Sequence, residues 1–240
     1  MRAHIFNAGF WALSALAVIL FSPVLLLPGR GGVAFAIHWH ARAFRLWLKA
    51  CGVSVEYRGL HHVPVIPAPV FAAKHQSWGD GLLQVARDSE LAYVIGDHML
   101  AFPLAGRYLQ KAGAVVVDAS AGGRRAPGAF EAGVERLARE GRAALIFPEG
   151  GIADVGTRLR YRKGVHKLAR ALDREVIPVA TNLGCFWPRK DWTLKPGTAV
   201  VEFMAPMAPG DDAVAFVKRL EDVIETRTRA LEAEARRATG

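Results

Sequence analysis

From Ile5 to Leu27 the chain runs IFNAGFWALSALAVILFSPVLLL without a charged residue. A run of that length is enough to cross a bilayer. Pro23 places a bend near its end, so a re-entrant or shallow insertion fits as well. The run is longer than the apolar core of a cleaved leader, and no small-x-small site precedes Pro28-Gly29-Arg30-Gly31-Gly32. A retained anchor is therefore expected. Beyond the glycines, apolar residues recur at helical spacing in Val33–Ala50: Phe35, Trp39, Ala43, Leu46 and Trp47. Arg42, Arg45 and Lys49 are expected largely on another side. Both an interfacial helix and a helix packed on the domain fit this pattern.

The remaining chain alternates short apolar runs with helical periodicity. Strands are predicted at Val53–Tyr57, Val70–Ala73, Ala92–Ile95, Ala114–Val117, Ala143–Phe147, Val176–Ala180 and Ala199–Phe203. Many are apolar throughout, as strands covered on both faces are. Helices are predicted at Gly81–Arg87, Pro103–Ala112, Pro127–Glu140, Gly164–Leu172 and Asp212–Arg237. The last is expected to pack through Val214, Val217, Leu220 and Ile224. The alternation predicts one α/β domain, residues 51–240, with a largely parallel or mixed sheet flanked by helices. Residues 1–50 form the membrane anchor and interfacial helix.

Composition adds a partner class. Hydrophobic residues make up 52% of the 240 positions, and the excess lies near the N-terminus. The formal net charge is +9 and the pI about 10.0, which suits anionic partners. The basic residues carry no base-stacking platform or nucleic-acid-binding motif, whereas the apolar N-terminus fits anionic lipid. No nucleic-acid partner is expected. Cys51 and Cys185 give neither a disulfide framework nor metal spacing and are read as free thiols. The pairs His38/His40 and His61/His62 lack the Cys or carboxylate spacing of a metal centre.

Polar residues collect at strand ends, where open α/β sheets bind ligands. Val70–Ala73 is followed by Lys74-His75-Gln76-Ser77-Trp78-Gly79-Asp80. A turn into a helix after His75 brings Asp80 back to the imidazole, where a carboxylate fixes the tautomer and stabilises the protonated ring. A turn with a capping aspartate fits the same spacing. Ala143–Phe147 runs into Pro148-Glu149-Gly150-Gly151, presenting Glu149 at the strand end, suited to hold a substrate hydroxyl. Pro178, inside the run Val176–Ala180, predicts an edge or irregular strand position.

Together these clusters resemble the 1-acylglycerol-3-phosphate acyltransferase family. The residues that carry the resemblance are His75-x-x-x-x-Asp80, Phe147-Pro148-Glu149-Gly150 and Val176-Ile177-Pro178-Val179, in that order, over roughly residues 50–205. The resemblance implies a glycerolipid-acyltransferase-like domain and direct acyl transfer. His75 would deprotonate the hydroxyl of a lysophospholipid acceptor, which attacks an acyl thioester on CoA or acyl carrier protein, and Asp80 would orient His75. No cofactor is implied beyond that co-substrate, and no metal. The catalytic domain would lie on the cytoplasmic side of the cell (inner) membrane.

The sequence departs from the family pattern where phosphate-binding arginines are expected: Ala119 follows Asp118, and Gly151-Ile152 follow Gly150. Replacement cations are Arg124, Arg125, Arg158, Arg160, Arg162 and Lys163. Of these, Arg124, Arg125, Arg162 and Lys163 join Glu149 and Gly150 as candidate substrate-binding residues. The alternatives are an acceptor with another headgroup, such as a lyso-aminolipid, or a non-catalytic lipid-binding protein derived from the family.

Overall fold

The computed structural model describes residues 1–88, 90–102, 104–117, 128–190 and 192–239. The apolar N-terminal run does not continue as one helix. Helix α1 (Arg2–Leu20) stops short of Pro23, a single 3-10 turn covers Ser22–Leu25, and the chain returns as α2 (Gly31–Ala50). The two helices are antiparallel: Trp47 Nε1 donates to Phe6 O at 3.1 Å, and Ser14 Oγ lies 3.0 Å from His40 Nε2.

The start of this hairpin belongs to the core. Phe6 and Phe10 meet the Trp187 ring edge-on at 5.0 and 4.8 Å, and Phe10 meets Phe44 at 5.5 Å. Buried Asn7 accepts from Trp187 Nε1 at 3.1 Å and donates to Trp192 O at 3.0 Å. Beyond Phe10 the hairpin turns apolar groups outward: Trp11, Leu16, Ile19, Leu20, Leu26 and Leu27 are exposed. In α2 the inward stripe is Val33, Ala36, Ala41, Phe44 and Leu48, while Phe35, Trp39 and Leu46 face outward. Helix α2 thus packs on the domain with one face and offers an apolar face to the surroundings with another. Exposed Arg42, three residues from Trp39 and four from Leu46, shares that outer face rather than a separate one.

The sheet contains β1 (Val53–Arg58), β2 (Val70–Ala73), β3 (Ala92–Gly96), β4 (Val115–Val117), β5 (Ala144–Ile146), β6 (Val176–Thr181) and β7 (Gly197–Phe203). Their order is β1-β7-β6-β2-β5-β3-β4. Every pairing is parallel except β6 with β7, so the sheet is mixed. The helices are α3 (Asp80–Arg87), α4 (Ala105–Lys111), α5 (Ala129–Arg139), α6 (Gly164–Leu172), α7 (Leu183–Phe186) and α8 (Ala213–Thr239). Alternation along β2 divides the interior. Phe71 and Ala73 face the core shared with α2 and α3, and Val70 and Ala72 face the core shared with α5, α6 and α8.

Pro178 sits in the interior of the sheet, not at an edge, opposite Ala72 of β2. Its carbonyl accepts from Met204 N at 3.0 Å. Its missing N–H falls where the β6–β7 ladder, which starts at Val179↔Phe203, breaks before the bridge Val176↔Met207. The irregular position expected of this proline is therefore a gap in the ladder. In α8, Val214 is exposed, and the packing stripe runs through Phe216, Val217, Leu220 and Ile224.

Candidate active site

Because β2 and β5 are neighbours in parallel register, Ala72 opposite Ile146, their carboxyl ends deliver Lys74–Asp80 and Phe147–Gly151 side by side. The strand geometry persists one residue past β2, where Lys74 N donates to Val179 O at 2.9 Å. Alternation then sends Lys74 and Gln76 inward, at 0% and 1% exposure. The His75 side chain, 18% exposed, points the other way. Helix α3 begins at Asp80, and its carboxylate folds back over the preceding turn. Oδ2 accepts from Gln76 N at 2.7 Å and Ser77 N at 2.8 Å, and stands 3.0 Å from His75 Nδ1. Both readings of the His75–Asp80 spacing are realised at once: the aspartate caps the turn and holds the imidazole. With Nδ1–H donating to the carboxylate, the Nε2 lone pair is left to accept a proton. The imidazole stacks on Phe147, centroids 4.0 Å apart and planes 19° from parallel, which ties the two motifs together. A Cβ on Gly79 would stand 2.6 Å from Phe44 Cζ and 3.0 Å from Trp187, so the loop also rests directly on the N-terminal hairpin.

Glu149 is turned inward. Its Oε1 accepts from His75 N at 2.9 Å and its Oε2 from Lys74 Nζ at 2.9 Å. Both side chains of that ion pair are fully buried. Burial pushes the Glu149 carboxyl above the ordinary carboxylate range, against the pull of the Lys74 charge and the His75 N–H. Lys74 Nζ donates further to Glu225 Oε1 of α8 at 2.8 Å and Thr157 O at 3.3 Å. Tyr161 donates its hydroxyl to Glu225 Oε1 at 3.1 Å, and burial drives its phenol pKa upward. Gln76 Nε2 donates to Glu232 Oε1 at 2.7 Å. Sequence reasoning did not single out Lys74, Gln76, Tyr161, Glu225 or Glu232. The available signal was a lysine directly after an all-apolar strand, and two glutamates seven apart, on one helix face.

Gly150 has φ +69°, and a Cβ there would stand 2.7 Å from Arg162 Nε and 2.8 Å from its Cζ. The Arg162 guanidinium therefore lies against the turn that presents Glu149. Arg162 N also donates to Pro148 O at 2.8 Å. Arg158 is committed elsewhere, pairing with Glu221 and Asp222 of α8. Arg160 and Lys163 are exposed, Lys163 just ahead of α6. Arg124, Arg125, Asp118 and Ala119 lie outside the described residues. Among the described residues no group of three or more His, Cys, Asp or Glu is placed to hold a metal ion. Cys51 is buried, and burial pushes the Cys185 thiol up to about 11.

Comparison with known proteins places this arrangement among lipid acyltransferases. A family model described as Acyltransferase matches residues 54–182. The chain is 31% identical, over 178 residues, to a 1-acyl-sn-glycerol-3-phosphate acyltransferase of Pseudomonas aeruginosa, covering 73% of this chain and 68% of that one. Its fold is similar to the crystal structure of the 1-acyl-sn-glycerophosphate acyltransferase PlsC of Thermotoga maritima, with TM-score 0.77 over 97% of this chain and 98% of that chain, at 20% identity.

Proposed function

Because this chain belongs to the 1-acyl-sn-glycerol-3-phosphate acyltransferase family, we propose that it moves an acyl chain from an acyl thioester to the free hydroxyl of a lysoglycerophospholipid, with His75 as general base. The observation that carries this reading is the half-open His75 imidazole, held by Asp80 on one nitrogen and stacked on Phe147 beside Glu149. Nε2 takes the proton of the acceptor hydroxyl, and the oxygen attacks the thioester carbonyl. The C–O bond forms, the C–S bond breaks, and the proton on His75 passes to the departing thiolate. Asp80 offsets the imidazolium charge between those events. Transfer is direct. The chain has no Gly-x-Ser-x-Gly elbow, and Ser77, the serine nearest His75, is fully buried with its Oγ facing Gly79 N.

The acceptor reading is 1-acyl-sn-glycerol-3-phosphate, giving phosphatidic acid. It is supported by Arg162, which brings a guanidinium to the Glu149–Gly150 turn. Lys163 follows it, and Arg124 and Arg125 remain candidates for the same headgroup. Gly151 and Ile152 beside that turn favour the second reading, a lysolipid with another headgroup such as a lyso-aminolipid. The donor is acyl-CoA or acyl carrier protein, and no further cofactor is required.

The protein attaches to the membrane through residues 1–50 and works through residues 51–240. Helix α1 is long and apolar enough to cross a bilayer. Phe6, Asn7 and Phe10 are engaged by the core, however, and the outward remainder, Trp11–Leu20, rises only about 15 Å. That is about half the hydrocarbon thickness of a bilayer. The hairpin therefore enters one leaflet, on the cytoplasmic face of the inner membrane where acyl donors are found. The test is an assay of purified protein in anionic vesicles, offering a panel of lysolipid acceptors with acyl-CoA and with acyl carrier protein. Turnover of lysophosphatidic acid supports the first acceptor. Turnover only of an aminolipid supports the second, and no acyl transfer to any lysolipid contradicts the function.

A further inference from the structure

His75 is flanked along the chain by two inward-facing side chains, and each is held by a glutamate of the C-terminal helix. Lys74 Nζ donates to Glu225 Oε1 at 2.8 Å, and Gln76 Nε2 donates to Glu232 Oε1 at 2.7 Å. The geometry is a match of two periodicities. Residues 74 and 76 share one face of an extended segment, about 7 Å apart. Residues 225 and 232 are two helical turns apart on one face of α8, about 10.5 Å along its axis. Long side chains on both elements close the difference. The same two glutamates reach the loop after the Glu149 turn: Glu225 accepts from Tyr161 Oη at 3.1 Å and Glu232 from Gly156 N at 3.2 Å. Both are buried, at 4% and 3% exposure, on a helix that is otherwise strongly charged on its surface. Helix α8 starts at Ala213, beyond the stretch 54–182 that carries the family match.

We propose that Glu225 and Glu232 are positioning residues of the acyl-transfer site, holding Lys74 and Gln76 from beneath so that His75 alone points into the cleft. The proposal rests on the reading of His75 as general base. Burying a carboxylate disfavours folding unless it is paired and hydrogen-bonded. Packing α8 against β6 requires only its apolar stripe, so these two glutamates are placed where a leucine would fill the space. What they add is direction. A hydrogen-bonded carboxylate fixes the Lys74 ammonium and the Gln76 amide to within a few tenths of an ångström, and Lys74 in turn fixes Glu149, which accepts the N–H of His75 itself. The backbone on both sides of the histidine is pinned through side chains that never touch substrate.

The test compares Glu225→Gln, Glu232→Gln and the apolar pair Lys74→Met/Glu225→Leu with wild type and with His75→Ala, all in vesicles with lysophosphatidic acid and acyl-CoA. A displacement of about 1 Å at the base costs on the order of 10²-fold in rate. The expected result is a fall in kcat of about tenfold or more in each α8 variant, with KM for both substrates within about twofold of wild type. The apolar pair retains packing volume and leaves no carboxylate facing the vacated lysine position except Glu149, so its thermal midpoint reports whether the fold survives. A folded apolar pair with reduced kcat and unchanged KM supports positioning. Wild-type kcat in the folded apolar pair and in Glu232→Gln overturns the proposal, provided His75→Ala is inactive. An active His75→Ala overturns instead the base assignment beneath it.

Discussion

Asp80 Oδ2 stands 3.0 Å from His75 Nδ1 while accepting the backbone N–H groups of Gln76 and Ser77. One carboxylate oxygen thus serves the turn and the imidazole together. In Asp80→Asn the amide oxygen can still accept from the backbone, so the turn is kept. The amide does not offset an imidazolium, and its NH2 favours the wrong tautomer. The expected outcome is a fall in kcat on the order of 10³-fold. Steady-state kinetics measures the fall, and a thermal midpoint close to wild type confirms the fold.

Arg158 and Arg162 lie in one loop but have different commitments. Arg162 packs against Gly150 at the site, and Arg158 pairs with Glu221 and Asp222 on α8. Arg162→Ala is expected to raise KM for lysophosphatidic acid by about tenfold or more, the loss of a charge-assisted contact to phosphate. Arg158→Ala is expected to leave that KM within about twofold, because an exposed ion pair contributes about 1 kcal/mol or less. Equal effects from the two substitutions would remove Arg162 from the acceptor site.

Glu149 gives stability a definite pH dependence. Burial raises its folded-state pKa above the ordinary value of 4.5. The folded state therefore holds this proton more tightly than the unfolded chain. The contribution favours folding fully below the ordinary value and is lost as pH rises through the raised one. Glu149→Gln cannot ionise, so its denaturation midpoint is expected to be flatter than that of wild type over about pH 4 to 8. Parallel curves for the two proteins would contradict the shift.

Phe35, Trp39 and Leu46 form the outward face of α2, next to Arg42. None contributes to the buried stripe of that helix, so polar replacements spare the fold. Each large apolar side chain transferred into a bilayer contributes on the order of 1 kcal/mol or more. The triple change to serine is expected to lower partition into anionic vesicles by about 10²-fold with no shift in thermal midpoint. Sedimentation with vesicles measures it.

Much of this was legible in the sequence because the signals were local. Runs such as Val70–Ala73 and Val176–Ala180 are apolar throughout and bounded by breakers, and all seven predicted strands form. His75, Asp80 and Glu149 were singled out because polar residues directly after such runs stand at the carboxyl edge of a sheet. What stayed hidden depends on contacts distant along the chain. Lys74 and Gln76 are unremarkable until Glu225 and Glu232, some 150 positions later, are placed beneath them. Glu149 read as a group presented to substrate, because nothing local reveals that Lys74 and the His75 N–H occupy its two oxygens. In α2 the apolar positions outnumber what one face requires, so periodicity identified the helix but not which stripe the domain covers. One turn at Leu183–Phe186 is too short for periodicity to register.

The central claim is that the His75 imidazole removes the proton from the lysolipid hydroxyl. It is tested most directly by following labelled acyl transfer from acyl-CoA to lysophosphatidic acid in vesicles by wild type and His75→Ala at equal membrane-bound protein. The account predicts that the variant stays folded and bound while transfer falls by about 10³-fold or more. Transfer by His75→Ala at a rate near wild type would contradict it.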